Sequence, residues 1–283
     1  MLARRRTRLA AIIALAAVIG IGGQKPASAT GFSADDLNIP SEWMIGGFLV
    51  VTPKYEGSKE YEATGFPFIA PAGADGTGFV NVIGPQNVQI RLLRFSPFEA
   101  GPLVGYRWSR DEDDAKRLNG LGDVSGGLIA GGYVSYDFGP FLLRSSYHQK
   151  VTGDNTGYTV RFVAEADQRI DENWRLRGRV GTAYASDGYM DAYFSVTPAQ
   201  SLTSGLPVYD ADAGFKGVYA SAGFDYRLSE DWVMRFTGYY ERLIGDTTDS
   251  PIVEAENQFA GTVGLAYVFD WADFSGGERD PRY

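Results

Sequence analysis

Apolar and polar residues alternate along much of this chain with a period of two. From Asn257 to Phe269, Phe259, Val263, Leu265, Tyr267 and Phe269 share one side, while Gln258, Ala260, Thr262, Gly264 and Ala266 share the other. Such alternation puts successive side chains on opposite faces of a strand. Val218, Ala220, Ala222, Phe224, Tyr226 and Leu228 alternate in the same way with Ser221, Gly223, Asp225 and Arg227. Tyr158, Val160, Phe162, Ala164 and Ala166 alternate with Thr159, Arg161, Glu165 and Asp167. Trp232, Met234, Phe236 and Tyr240 alternate with Arg235, Thr237 and Glu241, and Val88, Ile90 and Leu92 with Asn87, Gln89 and Arg91. Most telling is the run that starts at Trp174. There Trp174, Leu176, Val180 and Tyr184 oppose Arg175, Arg177 and Arg179. Three arginines on one strand face are costly in a packed core, but cheap against a wet lumen.

These segments reach ten or more residues. That exceeds the roughly five or six of globular strands and suits a tilted membrane strand of about 9–11. Their links are sorted by length. Gly139-Pro140, Asp171-Glu172-Asn173 and Ser229-Glu230-Asp231 are short, and between them lie longer loops at about 109–120, 152–156, 188–212 and 245–256. Short periplasmic turns alternating with long external loops characterise outer-membrane barrels. The pattern predicts an all-β chain, a transmembrane antiparallel up-and-down β-barrel of about twelve strands, with ten as the alternative. The strands fall near 43–53, 61–70, 77–83, 87–94, 99–108, 121–138, 140–152, 157–170, 173–187, 213–229, 231–244 and 257–269. Alternation is poorest in the first three, where Pro67 interrupts one. Trp108, Tyr136, Trp174, Trp232 and Phe269 sit near strand ends, as interfacial girdles require. The glycine pairs at 126–127 and 131–132 mark strand curvature.

Residues 1–29 read as an export signal. Arg4, Arg5, Arg6 and Arg8 precede an apolar run from Leu9 to Gly22, and Ala27-Ser28-Ala29 supplies a small-x-small cleavage site after Pro26. The run is too short to span a roughly 30 Å hydrocarbon core as a helix. The remainder divides into a short periplasmic segment at 30–42, the barrel at 43–269 and a periplasmic tail at 270–283. The formal charge is −9, and the leader holds five basic residues and no acid, so the remainder stands at −14. That acidity argues against nucleic acid as a partner. With no cysteine and a single histidine, thiol chemistry and histidine metal clusters are excluded. High glycine (36) with 14% aromatics favours strands joined by tight turns.

The candidate functional residues are charges on the predicted inner face: Arg144, His148, Arg161, Glu165, Arg175, Arg177, Arg179, Arg227 and Arg235. Asp167, Asp225 and Glu241 lie on matching faces. Two readings follow: a narrow channel that attracts anions, or an ion-pair network filling the lumen. His148 is the one possible general base of a hydrolase, but its alternation with Phe141, Leu143 and Tyr147 turns it away from lipid. A lumen polar residue is the better reading. The acidic run Asp111-Glu112-Asp113-Asp114 offers oxygen ligands to divalent cations, but lacks the spacing of a calcium loop and reads as a solvated loop pairing with Arg110, Lys116 or Arg117. No cofactor fingerprint follows any strand.

Four long blocks carry a resemblance. Pro53 to Ser58 reads PKYEGS and leads into YEATGFPF; Gly101 to Val124 reads GPLVGYRWSRDEDDAKRLNGLGDV. Tyr189 to Gly217 reads YMDAYFSVTPAQSLTSGLPVYDADAGFKG, and Leu243 to Val253 reads LIGDTTDSPIV, before NQFAGTVGLAYVF ends the barrel. In this order they resemble the MipA/OmpV family of outer-membrane proteins. The resemblance implies a barrel in the outer membrane, among its lipid and lipopolysaccharide. It also implies a scaffold contacting a lytic murein transglycosylase and a bifunctional penicillin-binding murein synthase, in place of an enzyme; a porin-like role is the alternative. It brings no catalytic motif.

Overall fold

A computed structural model describes residues 42–71, 80–84, 86–154 and 157–270. The expected signal at 1–29, nearly all of the 30–42 segment and the tail after Asp270 lie outside these residues. The strands are β1 (Glu42–Pro53), β2 (Tyr61–Pro71), β3 (Val80–Gly84), β4 (Asn87–Ile90), β5 (Leu93–Phe95), β6 (Phe98–Arg107) and β7 (Gly127–Phe138). There follow β8 (Phe141–Lys150), β9 (Tyr158–Arg169), β10 (Trp174–Ala185), β11 (Gly214–Arg227), β12 (Trp232–Leu243) and β13 (Asn257–Asp270). All belong to one antiparallel sheet.

Both β4 and β5 pair with β6, separated only by Arg91-Leu92. They make one interrupted stave, so the thirteen strands of the described residues form the twelve staves that the alternation predicts. The first strand pairs with the last, from Glu42↔Asp270 to Val51↔Gly261, which carries the wall round on itself. The sheet's two edges are β2 and β3, whose connection at 72–79 lies outside the described residues. The fold is a transmembrane up-and-down β-barrel.

Burial is inverted relative to a soluble protein. Leu128, Val134, Phe141, Leu143, Val180, Phe236 and Val263 are exposed, while Gln89, Ser135, Ser146, His148, Lys150 and Thr159 are buried. That inversion is what a hydrocarbon solvent outside and a polar interior inside demand. Aromatic pairs mark two levels on the outer face. Trp174 packs on Phe224 and Tyr226, Trp232 on Tyr267, and Phe98 on Tyr136 at the periplasmic ends. Tyr147 packs on Tyr158, Tyr184 on Phe215, and Tyr240 on Phe259 at the other ends. The ten steps from Trp174 to Tyr184 cover ~33 Å at ~3.3 Å each, or ~25 Å of height once tilted, the thickness of an outer-membrane apolar band.

Two expectations are corrected. The strand expected at 121–138 begins only at Gly127, because Leu121 and Val124 are drawn into packing above the barrel. The acidic run at 111–114, expected in a solvated loop, instead belongs to external loops that pack together. Close approach explains one of the glycine pairs: a Cβ at Gly131 would collide with the Tyr147 carbonyl oxygen, and Leu103 leans over the space it leaves.

Candidate functional site

The inner face of β8 to β12 carries a ladder of ion pairs, and strand register builds it. Arg179 sits opposite Glu165, Arg177 opposite Asp167, Arg175 opposite Asp225, and Asp225 opposite Arg235. Arg144 reaches the far oxygen of Glu165 at 2.6 Å, and Arg179 takes the other at 3.0 Å. Asp167 accepts from Arg175 at 2.6 Å and lies 3.3 Å from Arg177. Asp225 joins Arg177 at 2.6 Å and binds Arg235 through two parallel bonds of 2.6 and 2.9 Å. Arg161 donates to the Gln86 side chain at 3.3 Å. His148 is fully buried, with Nε2 2.9 Å from Ser146 Oγ. Thus the structure gathers these residues into two adjoining groups, Arg144 and Arg179 on Glu165, and Arg175, Arg177 and Arg235 on Asp167 and Asp225. Arg161 and His148 stand above them. Arg227 lies at the exposed periplasmic end of β11 and joins none of these pairs.

Exposure is graded along the barrel axis. In the half toward the external loops, Gln89, Arg107, His148, Lys150, Thr159 and Lys216 are all buried. In the periplasmic half the Arg175, Arg179 and Arg235 side chains are 31%, 37% and 47% exposed. Arg175, Arg179 and Arg235 are open to water, whereas the groups above the ladder are closed to it.

The exclusion has a built cause. Residues 54–60, 108–126, 186–213 and 244–256 interlock into a lid over the external mouth. One cluster joins Tyr55, Leu118, Leu121, Val196, Leu206 and Ile252; another joins Ala185, Tyr189, Met190, Phe194 and Ala211. Three short helices support them: α1 (Asp187–Tyr193), α2 (Pro198–Ser204) and α3 (Asp246–Asp249). Helix α2 begins with a reciprocal capping box, Thr197 with Gln200, and ends at Gly205 in the left-handed region at φ 75°. Loop-to-loop hydrogen bonds cross the lid. Arg110 donates to the Tyr193 carbonyl at 3.0 Å, Arg117 Nε to Pro251 at 2.8 Å, and Tyr55 to Ile252 at 3.0 Å.

Below the lid, one buried latch ties it to the wall. Glu56, from the first loop, pairs with Lys216 of β11 and accepts a 2.8 Å bond from the Tyr189 hydroxyl. Lys216 also reaches Glu241 at 3.5 Å, and the Arg107 guanidinium lies 4.8 Å from the Tyr189 ring centre. Burial acts to raise Glu56, but the Lys216 ammonium and the Tyr189 hydroxyl outweigh it and hold the carboxyl below the usual range. Burial and the Glu56 charge together push the Tyr189 phenol up.

Of the latch residues, Glu241 follows from strand alternation, and Glu56, Tyr189 and Lys216 do not. The available signal was the apolar content of the loops: Leu118, Leu121, Met190, Phe194, Val196, Leu206 and Ile252 are too many for solvated segments. The Thr197-Pro198 to Gly205 bracket was a second signal, since it encodes a capped helix. The acidic run serves the lid's backbone. Glu112 accepts from the Gly120 and Gly122 N–H groups at 3.0 and 3.1 Å, while Arg110 and Arg117 bind carbonyls across the lid. Among the described residues no group of three potential ligands is placed to hold a metal.

Residues 45–269 match the family described as MltA-interacting protein MipA. The outer-membrane protein Omp26La of Vibrio anguillarum is 26% identical over 171 residues, which cover 59% of this chain and 64% of that protein, just under two thirds of its length. The MltA-interacting protein of Escherichia coli (strain K12) is 28% identical over 90 residues, 32% of this chain and 36% of the relative. Among solved structures, the NanC porin aligns over 80% of this chain and 98% of its own, with 10% identity and a TM-score of 0.38. With the family match spanning nearly the whole barrel, the chain belongs to the MipA family of outer-membrane proteins.

Proposed function

We propose that this barrel is a non-catalytic outer-membrane scaffold, which docks murein-remodelling and murein-synthesising enzymes at its periplasmic rim. The observation that supports this most directly is the lid. A barrel whose external mouth is filled by interlocked loops is poorly suited to passing solutes. The rim at Gly139-Pro140, Asp171-Glu172-Asn173 and Ser229-Glu230-Asp231 is the face left to meet periplasmic proteins. The name of the Escherichia coli relative points to a partner of the same kind, a lytic murein transglycosylase. A bifunctional penicillin-binding murein synthase is the second expected partner.

The test is affinity capture from envelopes, with the wild-type barrel and a variant carrying Asp171→Ala, Glu172→Ala, Glu230→Ala and Asp231→Ala together. Wild type is expected to retain both murein enzymes, and the variant to lose at least ~10-fold of the signal, equivalent to about 1.4 kcal/mol of binding. Equal retention by both proteins overturns rim docking.

A narrow channel is the second reading, favoured by the surplus of arginine over carboxylate in the lumen. It predicts unitary conductance steps in planar bilayers. The scaffold reading predicts none from the wild-type protein at neutral pH, and regular steps would decide for the channel.

A further inference from the structure

We propose that the periplasmic half of the lumen is a binding cup for a small multivalent anion, entered from the periplasm and closed above by the lid. A ladder that only braced the wall would match charge to charge. This one does not. Five arginines, Arg144, Arg175, Arg177, Arg179 and Arg235, share three carboxylates, Glu165, Asp167 and Asp225, and the nearby Glu99 is itself shared by Arg91 and Arg94. Above the cup, Arg161 adds a further guanidinium whose hydrogen bond goes to a neutral amide. The whole chain carries a formal charge of −9, so this inner surface is positive against the trend of the protein.

A second observation is independent of the charge count. The Arg144 side chain is only 9% exposed, yet its Nε has no hydrogen-bond partner among the described residues. Above it, Oγ1 of Thr159, 1% exposed, is in the same condition. Buried polar groups are nearly always satisfied by protein, water or ligand. Arg144 Nε is a donor, and the hydroxyl donates or accepts as needed. The chemistry is that of an oxyanion receptor. Guanidinium forks match carboxylate and phosphate oxygens, and a low-dielectric wall focuses their field.

The cup is a dead end, which separates binding from passage. Arg175 and Arg235 are open to water from below, whereas His148, Lys150 and Lys216 are sealed beneath the lid. The ligand class is a compact molecule bearing two or more carboxylates or a polyphosphate. This reading does not depend on rim docking, and either can fail alone.

The absence of cysteine gives a direct test. Ser221→Cys places a single thiol opposite Arg179 on the inner face. Purified barrel in detergent is treated separately with a sulfonate-bearing and a trimethylammonium-bearing thiosulfonate. The anionic reagent is expected to be favoured at least ~10-fold more than it is with free 2-mercaptoethanol, the scale of electrostatic focusing. Adding Arg177→Gln and Arg179→Gln should return the ratio to that of the free thiol. Citrate and pyrophosphate at ~10 mM, with glucose as control, then compete for the site. Protection by citrate alone assigns carboxylates, by pyrophosphate alone phosphates, and by both a general oxyanion cup. An unbiased reagent ratio, or protection by neither anion, overturns the proposal. Thr237→Cys, on the same face of β12, repeats the measurement if the first variant does not fold.

Discussion

Val180→Arg is expected to cost about 2–4 kcal/mol of folding stability in lipid vesicles, the range for a cation at the bilayer midplane. Val180 is 57% exposed on the outer face of β10, midway between the two aromatic levels. Its neighbour Arg179 provides the contrast. Arg179→Val removes one of two partners of Glu165, and Arg144 stays 2.6 Å away to hold that carboxylate. A partly exposed pair of this kind contributes about 1 kcal/mol or less. Adjacent residues therefore carry opposite rules: a charge is ruinous at one and ordinary at the next. Urea titration of barrels refolded into vesicles reads both variants. Equal losses, or a larger loss for Arg179→Val, would mean that inside and outside have been exchanged.

The second large effect belongs to the lid. Glu56→Gln leaves Lys216 buried with one carboxylate, Glu241, at 3.5 Å. Removing one partner of a buried pair costs about 3–5 kcal/mol, and here the loss falls on lid attachment, while the wall stays intact. Proteolysis within α2 and the loops around it should accelerate at least ~10-fold if the cost reaches even 1.4 kcal/mol. Replacing both groups by apolar ones, Glu56→Leu with Lys216→Met, should restore much of the resistance, since no charge is then stranded. The pH dependence follows from the depressed Glu56 carboxyl. Its contribution is fully present above the unfolded glutamate value of ~4.3 and is lost as pH falls through the lower folded value. Pepsin should thus nick the wild-type lid only as acidity approaches that lower range. Unchanged cleavage of Glu56→Gln at neutral pH would remove the latch from the account.

The wall was legible in the sequence because a strand writes its two environments into alternate residues. Arg175, Arg177 and Arg179 against Leu176 and Val180 announced an inside and an outside before any coordinates. Twelve staves followed from turn spacing, even where Arg91-Leu92 breaks one of them. The inner-face assignment of Arg144, His148 and Glu165 came from the same parity. Their partners did not, since which guanidinium meets which carboxylate depends on register between strands. The lid was illegible for a different reason. Leu118 meets Ile252 across more than a hundred residues, and Glu56 meets Lys216 at a similar remove. Such contacts leave no period in the chain. The four blocks that carried the family resemblance are largely the segments that fold into this lid, which is why they read as kinship before they read as structure.

The clasp between β1 and β13 bears on how the molecule comes into being. Glu42 and Asp270 are neighbours in the wall although nearly the whole described chain separates them. No early portion of the polypeptide can finish the ring, because its first stave waits for its last. Until that final hairpin arrives, the edge of β1 offers unpaired backbone groups to any extended segment nearby. A protein built this way must keep that edge covered until its last strand is in place.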